Sequence, residues 1–206
     1  MKTEFADNPN ALPVERHPLE PFLPAGARLL MLGSFPPPRI RWSMDFYYPN
    51  FQNDMWRILG FLFFGDKLHF VDAAHKRFDC GRVVRFCTER GIAIFDTATA
   101  VRRLKANASD KFLEVVEPTD VAALLRRIPG CGAVAVTGEK AAETVLLSLT
   151  DASHSVPCIG SCERFDFEGR SMQLWRMPSS SRAYPLALEK KAEAYGRMFA
   201  EIGVLD

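Results

Sequence analysis

Four short apolar runs punctuate the chain, each stopped by a glycine, a proline or polar residues: Arg28–Leu32 before Gly33, Gly91–Phe95, Ala133–Val136 and Met172–Met177. Runs of this length without polar alternation suit strands buried on both faces of a parallel sheet. Between them the period changes. Met55, Ile58, Leu59 and Leu62 fall at i, i+3, i+4 and i+7, and Ala142, Val145, Leu146 and Leu149 repeat that spacing, the pattern of one apolar helix face. Val121–Ile128 follows Thr119-Asp120, a cap and first-turn acid, and stops at Pro129-Gly130. Pro185 suits the first turn of a last helix running to about Ile202. Strands alternating with helices predict an α/β fold, a three-layer α/β/α sandwich around a central, mostly parallel four-stranded sheet. Residues 1–26, rich in proline and polar groups, are expected to wrap the surface ahead of a single domain over 27–206. No internal repeat appears in the sequence.

Composition narrows the class. A chain of 206 residues with 48% hydrophobic and 25% charged residues fits one soluble globular domain. The longest apolar stretch, Ile58–Phe64, is far too short to span a bilayer, so no membrane partner is expected. Met1–Asn10 carries two acidic residues and no apolar stretch, which reads against a secretory signal and for a cytoplasmic protein. The five cysteines, Cys80, Cys87, Cys131, Cys158 and Cys162, form no C-x-x-C pair, so reduced thiols are expected and neither a metal nor another cofactor. A net charge of +1 gives no global argument for nucleic acid. Basic residues are concentrated locally, at Arg39 and Arg41, at Arg102, Arg103 and Lys105, and at Arg126 and Arg127, though each group also suits a solvated face. His17, His69, His75 and His154 are scattered and read as surface or core residues.

In open parallel sheets, ligands sit beyond the carboxyl ends of the strands. That rule points to the turns after Leu32, Phe95, Val136 and Met177. The first reads Gly33-Ser-Phe-Pro-Pro-Pro-Arg39, a stiff loop whose amides at Ser34 and Phe35 can hold an acceptor atom, or a plain structural turn. Beyond it, Phe46-Tyr-Tyr48 precede Asn53 at the opening of a helix. Aromatic faces suit a flat ligand, base stacking on them being worth about 1–3 kcal/mol, and Asn53 suits either a functional role or a helix cap. The last turn, Pro178-Ser-Ser-Ser-Arg182, offers several donors over a short span, which suits phosphate oxygens as well as an ordinary turn.

The order of these segments resembles the uracil-DNA glycosylase superfamily, and within it the hypoxanthine-DNA (deoxyinosine) glycosylase branch. The family's Gly-Ser-Phe-Pro is matched by Gly33, Ser34, Phe35 and Pro36, and its Phe-Tyr-Tyr, with Asn and Trp at fixed spacing, by Phe46, Tyr47, Tyr48, Asn53 and Trp56. A strand ending in Asp is similar to Gly91–Asp96, Gly-x-Lys-Ala to Gly138–Ala141, and Leu-Pro-Ser-Thr-Ser-Pro-Ala to Met177–Ala183. The likeness covers roughly residues 28 to 202. It departs from the pattern at Pro37, at Pro49-Asn50-Phe51, at Asp54-Met55 in place of Arg-Phe, at Thr137 in place of Asn, and at Arg182 in place of Pro.

The resemblance implies a base-excision repair glycosylase that hydrolyses the N-glycosidic bond of a flipped uracil, hypoxanthine or xanthine in DNA. It assigns Asn53 to orienting the attacking water, Phe46 or Tyr48 to stacking on the base, and the amides near Ser34 and Phe35 to its oxygen. Asp96 reads a base edge, and Pro178, Ser179, Ser180, Ser181 and Arg182 hold the DNA or wedge into the gap. Phe35 stands where classical relatives carry Asp or Asn, which favours electrostatic catalysis over a strong general base, with Asp45 and Asp96 as alternatives. The implied partner is DNA containing a deaminated base, with the enzyme a monomer that needs no protein partner. A catalytically silent DNA-binding relative is the alternative. A small-nucleotide hydrolase is a weaker one, since no Gly-rich phosphate cradle, nucleophile elbow or acidic metal cluster is present.

Overall fold

The computed structural model describes residues 12–104, 112–149 and 156–205. Lys105, His154 and the first eleven residues lie outside the described residues. In chain order the strands are β1 (Val14–Arg16), β2 (Leu29–Gly33), β3 (Val71–Asp72), β4 (Arg77–Phe78), β5 (Ile92–Asp96), β6 (Ala98–Arg103), β7 (Leu113–Pro118), β8 (Ala133–Thr137), β9 (Ser161–Phe167) and β10 (Arg170–Met177). The helices are α1 (Met55–Phe64), α2 (Cys80–Arg90), α3 (Val121–Arg127), α4 (Glu139–Leu149) and α5 (Leu188–Glu201).

The central sheet has five strands in the order β5-β2-β8-β10-β9. The four strands expected from their apolar runs are its parallel members, and β9 adds an antiparallel edge beyond β10. Strand β9 escaped the sequence reading because its residues, Ser-Cys-Glu-Arg-Phe-Asp-Phe, are mostly polar and only Phe165 and Phe167 are buried. An edge strand has one neighbour and needs no continuous apolar run. By contrast β2, β5 and β8 are buried at every position, which requires cover on both faces. Helices supply it: α1 packs on α5, which touches β10, while α3 packs on α4, which touches β8. On the outer side of β5, Phe22 forms an antiparallel bridge with Ile94, so the N-terminal segment covers that edge.

Two further small sheets lie outside this frame, β1-β6-β7 and β3-β4. Helix α2 is capped by the Asp79 side chain, which accepts the Arg82 N–H, and α3 by Asp120, which accepts the Ala123 N–H. Pro185 is not in the first turn of the last helix. The chain turns from Ser181 to Tyr184, and α5 begins only at Leu188 after an extended Ala187. Among the described residues no helix is long and apolar enough to cross a membrane.

Register positions the site. Gly33 pairs with Asp96, Leu32 with Val136, and Met177 with Thr137. The carboxyl ends of four parallel strands therefore stop in one row, and the loops leaving them converge above it.

Candidate functional site

Over that row lies a cleft of about 620 Å³ whose floor includes Gly33, Asp96 and Thr137. Asp96 ends β5 with its side chain almost wholly buried, and its Oδ2 lies 3.0 Å from His17 Nε2. The imidazole is itself fixed. Its Nδ1 lies 2.8 Å from the Leu19 carbonyl and 3.1 Å from the Leu19 N–H, while its ring meets Phe35 edge-on and Phe95 at 4.7 Å. The other carboxylate oxygen abuts Gly33, where a Cβ would collide with Oδ1. Glycine at this position is thus a matter of close approach rather than of backbone angle. The Thr97 N–H donates to the Gly33 carbonyl at 2.9 Å, and Thr119 Oγ1 donates to the Asp96 carbonyl at 2.7 Å.

The aromatic wall is built on the β2–α1 connection. Tyr47 donates to the Glu20 carbonyl at 2.7 Å. Burial pushes its ionisation well up, and the charges of Asp96 and Glu20 push it further, so Tyr47 stays a neutral donor. Tyr48 has a left-handed backbone, φ 49°, uncommon for a bulky residue. Its hydroxyl comes within 3.5 Å of Thr137 Oγ1, and its ring meets Trp56 edge-on. Trp56 donates its indole N–H to the Tyr47 carbonyl at 3.0 Å and holds that corner in place.

Asn53 lies at the mouth of α1. Its Oδ1 accepts the Met55 N–H at 2.8 Å, satisfying one of the helix's free donors, and it forms an antiparallel bridge with Ser181. Asp54, next in sequence, makes no capping bond, because its carboxylate is used elsewhere. Oδ1 accepts Arg182 Nε at 2.8 Å, and Oδ2 accepts Nζ of Lys191, a lysine only 1% exposed, at 3.2 Å. Lys191 also donates to the Ser181 carbonyl at 2.8 Å, and the Asp54 N–H donates to the Ser180 carbonyl at 2.9 Å. The two departures from the family motif at these positions, Asp54 and Arg182, therefore meet as a pair. Arg57 donates to the carbonyls of Phe51 and Asn53 and lies over the Phe51 and Phe78 rings. Its ionisation is lowered, mainly by burial and then by the Arg182 charge.

Of the residues singled out from sequence, Ser34, Phe35, Tyr48, Asn53, Asp96, Ser179, Ser180, Ser181 and Arg182 all line this one cleft. Phe46 does not. It is buried in the core, edge-on to Phe22 and Tyr47, so of the two aromatics proposed for stacking only Tyr48 faces the ligand space. Pro178 lies behind the serine loop, where its carbonyl accepts the Tyr195 hydroxyl at 3.0 Å. Asp45 is exposed outside the cleft and pairs with Arg39 at 2.7 Å. Of the remaining basic groups, Arg102 pairs with Glu114, Arg103 with Glu15 and Arg126 with Glu168. His17, Arg57 and Lys191 are the site-building residues that sequence reasoning missed. Among the described residues no cluster of three or more His, Cys, Asp or Glu is placed to hold a metal ion.

No family model matches the chain, and no curated protein matches it. Among solved structures it is similar to the solution NMR structure of a candidate uracil DNA glycosylase from Methanosarcina acetivorans. The TM-score is 0.60 and the identity 20%, over 93% of this chain and 99% of that one. At this identity the likeness is one of fold: the chain has the α/β/α architecture of that protein.

Proposed function

We propose that this protein is a DNA glycosylase, which takes a deaminated base out of the stack and hydrolyses its N-glycosidic bond. One observation carries the reading: Asp96, at the end of β5, lines a single cleft with Tyr48, Asn53 and the amide-bearing Ser34 and Phe35 of the β2–α1 connection. Its volume of about 620 Å³ lies inside the range of roughly 300–1,000 Å³ typical of ligand clefts.

Cleavage leaves negative charge on the departing base and positive charge on the sugar. Fixed donors aimed at the developing charge lower that barrier without reorganising, and the Ser34 and Phe35 amides fill this role. The Asp96 carboxylate accepts an N–H from the base edge, with His17 holding it in place. Asn53 Oδ1 keeps one lone pair on Met55 and offers the other to the attacking water. Tyr48 stacks on the base. The serine loop and the half-exposed end of Arg182 meet the phosphates. The reaction needs no metal or cofactor, and DNA is the only partner it requires.

The test is a substrate panel. Duplexes and single strands carrying one uracil, hypoxanthine or xanthine are incubated with the protein, and abasic sites are then cleaved with alkali. The expected result is strand scission at the lesion for at least one of these bases. DNA binding with no scission on any of them would establish the silent relative instead.

A further inference from the structure

The loop leaving β2 carries a short 3-10 turn, Arg39–Arg41, at the rim of the cleft. Ile40, its middle residue, is 93% exposed, whereas every other exposed large apolar residue among those described lies between 40% and 52%. Isolated exposed apolar side chains are ordinary and need no explanation. This one differs because the loop is braced in its outward position. Three prolines, Pro36 to Pro38, restrict the approach. The Trp42 indole N–H donates to the Pro37 carbonyl at 2.7 Å, and Arg103 donates to the Pro36 carbonyl at 3.1 Å. The Arg39 guanidinium lies 4.2 Å from the Trp42 ring centroid and bonds Asp45. Within the turn, the Arg41 N–H donates to the Pro38 carbonyl and the Trp42 N–H to the Arg39 carbonyl. Arg41 itself lines the cleft.

The result is an apolar point held rigidly in water, with a guanidinium on either side and the cleft next to it. We propose that Ile40 is a wedge: when a nucleotide is drawn into the cleft, the isoleucine enters the base stack at the place vacated, and Arg39 and Arg41 face the flanking phosphates. This rests on the glycosylase reading above and adds the residue that holds the duplex open. Extrusion leaves an unstacked gap, and apolar side chains inserted between base steps are a known way to occupy one. Burying an isoleucine there tightens duplex binding by roughly 10- to 100-fold. A prebraced turn loses little freedom when it inserts. The serine loop offers no such point: its tip is Ser-Ser-Ser-Arg, and Arg182 is tied back to Asp54.

The experiment uses the full chain and two DNA probes. The first is a duplex holding a tetrahydrofuran abasic analogue with 2-aminopurine as its neighbour, whose fluorescence rises when the neighbouring stack is broken. It requires no catalysis. Wild type is expected to raise the signal, Ile40→Ala to bind this duplex 10- to 100-fold more weakly with little rise, and Ile40→Leu to restore both. The second probe compares single-turnover base release from duplex and single-stranded substrate. Ile40→Ala is expected to slow release from the duplex by a similar factor and leave the single strand unchanged. Equal fluorescence and equal duplex binding for wild type and Ile40→Ala would overturn the wedge. So would a change in sedimentation coefficient on Ile40→Ala with duplex binding intact, which would assign Ile40 to a contact between copies. If wild type releases no base from any substrate, the glycosylase reading fails, and the 2-aminopurine signal still decides the wedge by itself.

Discussion

The carboxamide oxygen of Asn53 has two lone pairs, one engaged at the start of α1 and one that the proposed mechanism gives to a water, and substitution can separate the two. One lone pair accepts the Met55 N–H at the start of α1, a capping contact whose loss costs about 1 kcal/mol. The other is free to orient a water. Asn53→Ala is therefore expected to lower stability by about that amount and to slow single-turnover base release by roughly 10²- to 10³-fold, the usual consequence of losing one preorganised polar group, with DNA binding kept. Asn53→Ser can restore the cap, since serine accepts the same N–H, and should recover the melting temperature without the rate. Unchanged release in both variants would remove Asn53 from the mechanism. At this scale the site was partly legible in sequence. Ser34 follows a strand, Asp96 ends one, Asn53 opens a helix, and Tyr48 stands in the aromatic run just before it. His17 could not be found that way: a single histidine has no periodicity, and its meaning comes from Asp96, far along the chain. Phe46 was misplaced for the converse reason, since Phe46, Tyr47 and Tyr48 are consecutive aromatics and only the backbone decides which of them faces the cleft.

Among the elements, the contact that fixes the candidate site runs from the start of α1 through Asp54 to Lys191 in the first turn of α5, taking the serine loop with it. Both side chains are buried, so removing one leaves the other charge uncompensated, at a cost of about 3–5 kcal/mol. Asp54→Ala should lower the denaturant midpoint accordingly. The double variant Asp54→Ala/Lys191→Met should regain part of that loss, because the buried lysine charge left uncompensated by the first change is removed by the second. A double-mutant cycle by urea unfolding checks this, and strictly additive losses would show that the two residues do not act together. The parallel strands were legible because two-sided burial demands unbroken apolar runs. Strand β9 and the β1-β6-β7 sheet were not, since short, half-exposed strands such as Val14–Arg16 carry no pattern longer than chance. Helix α2 buries Val83, Phe86 and Cys87 at helical spacing, but arginines at 82, 85 and 90 dilute that stripe.

For the molecule as a whole, two buried tyrosines set the alkaline limit. Burial holds Tyr47 and Tyr195 protonated in the folded state well above the usual range, whereas in the unfolded chain a tyrosine ionises near pH 10. Below that pH both states keep the proton and stability is unaffected. Above it the unfolded chain sheds protons that the folded one retains, so stability falls as pH rises. The absorbance of two of the four tyrosinates should therefore appear only together with the loss of far-ultraviolet circular dichroism above pH 10, and Tyr47→Phe should make that fall less steep. Absorbance equivalent to more than two of the four tyrosinates in a still-folded chain would contradict the burial. Tyr47 also belongs to a seam joining the sheet to a segment that precedes it: Tyr47 bonds Glu20, Ile94 bridges Phe22, and Asp96 meets His17. A version trimmed to begin at Ala27 would keep every strand of the central sheet, yet strip the imidazole from its carboxylate and bare the β5 edge. Shortened or fused variants should accordingly be judged by whether residues 17–22 remain laid across that edge, because they carry the imidazole that holds the carboxylate proposed to read the base.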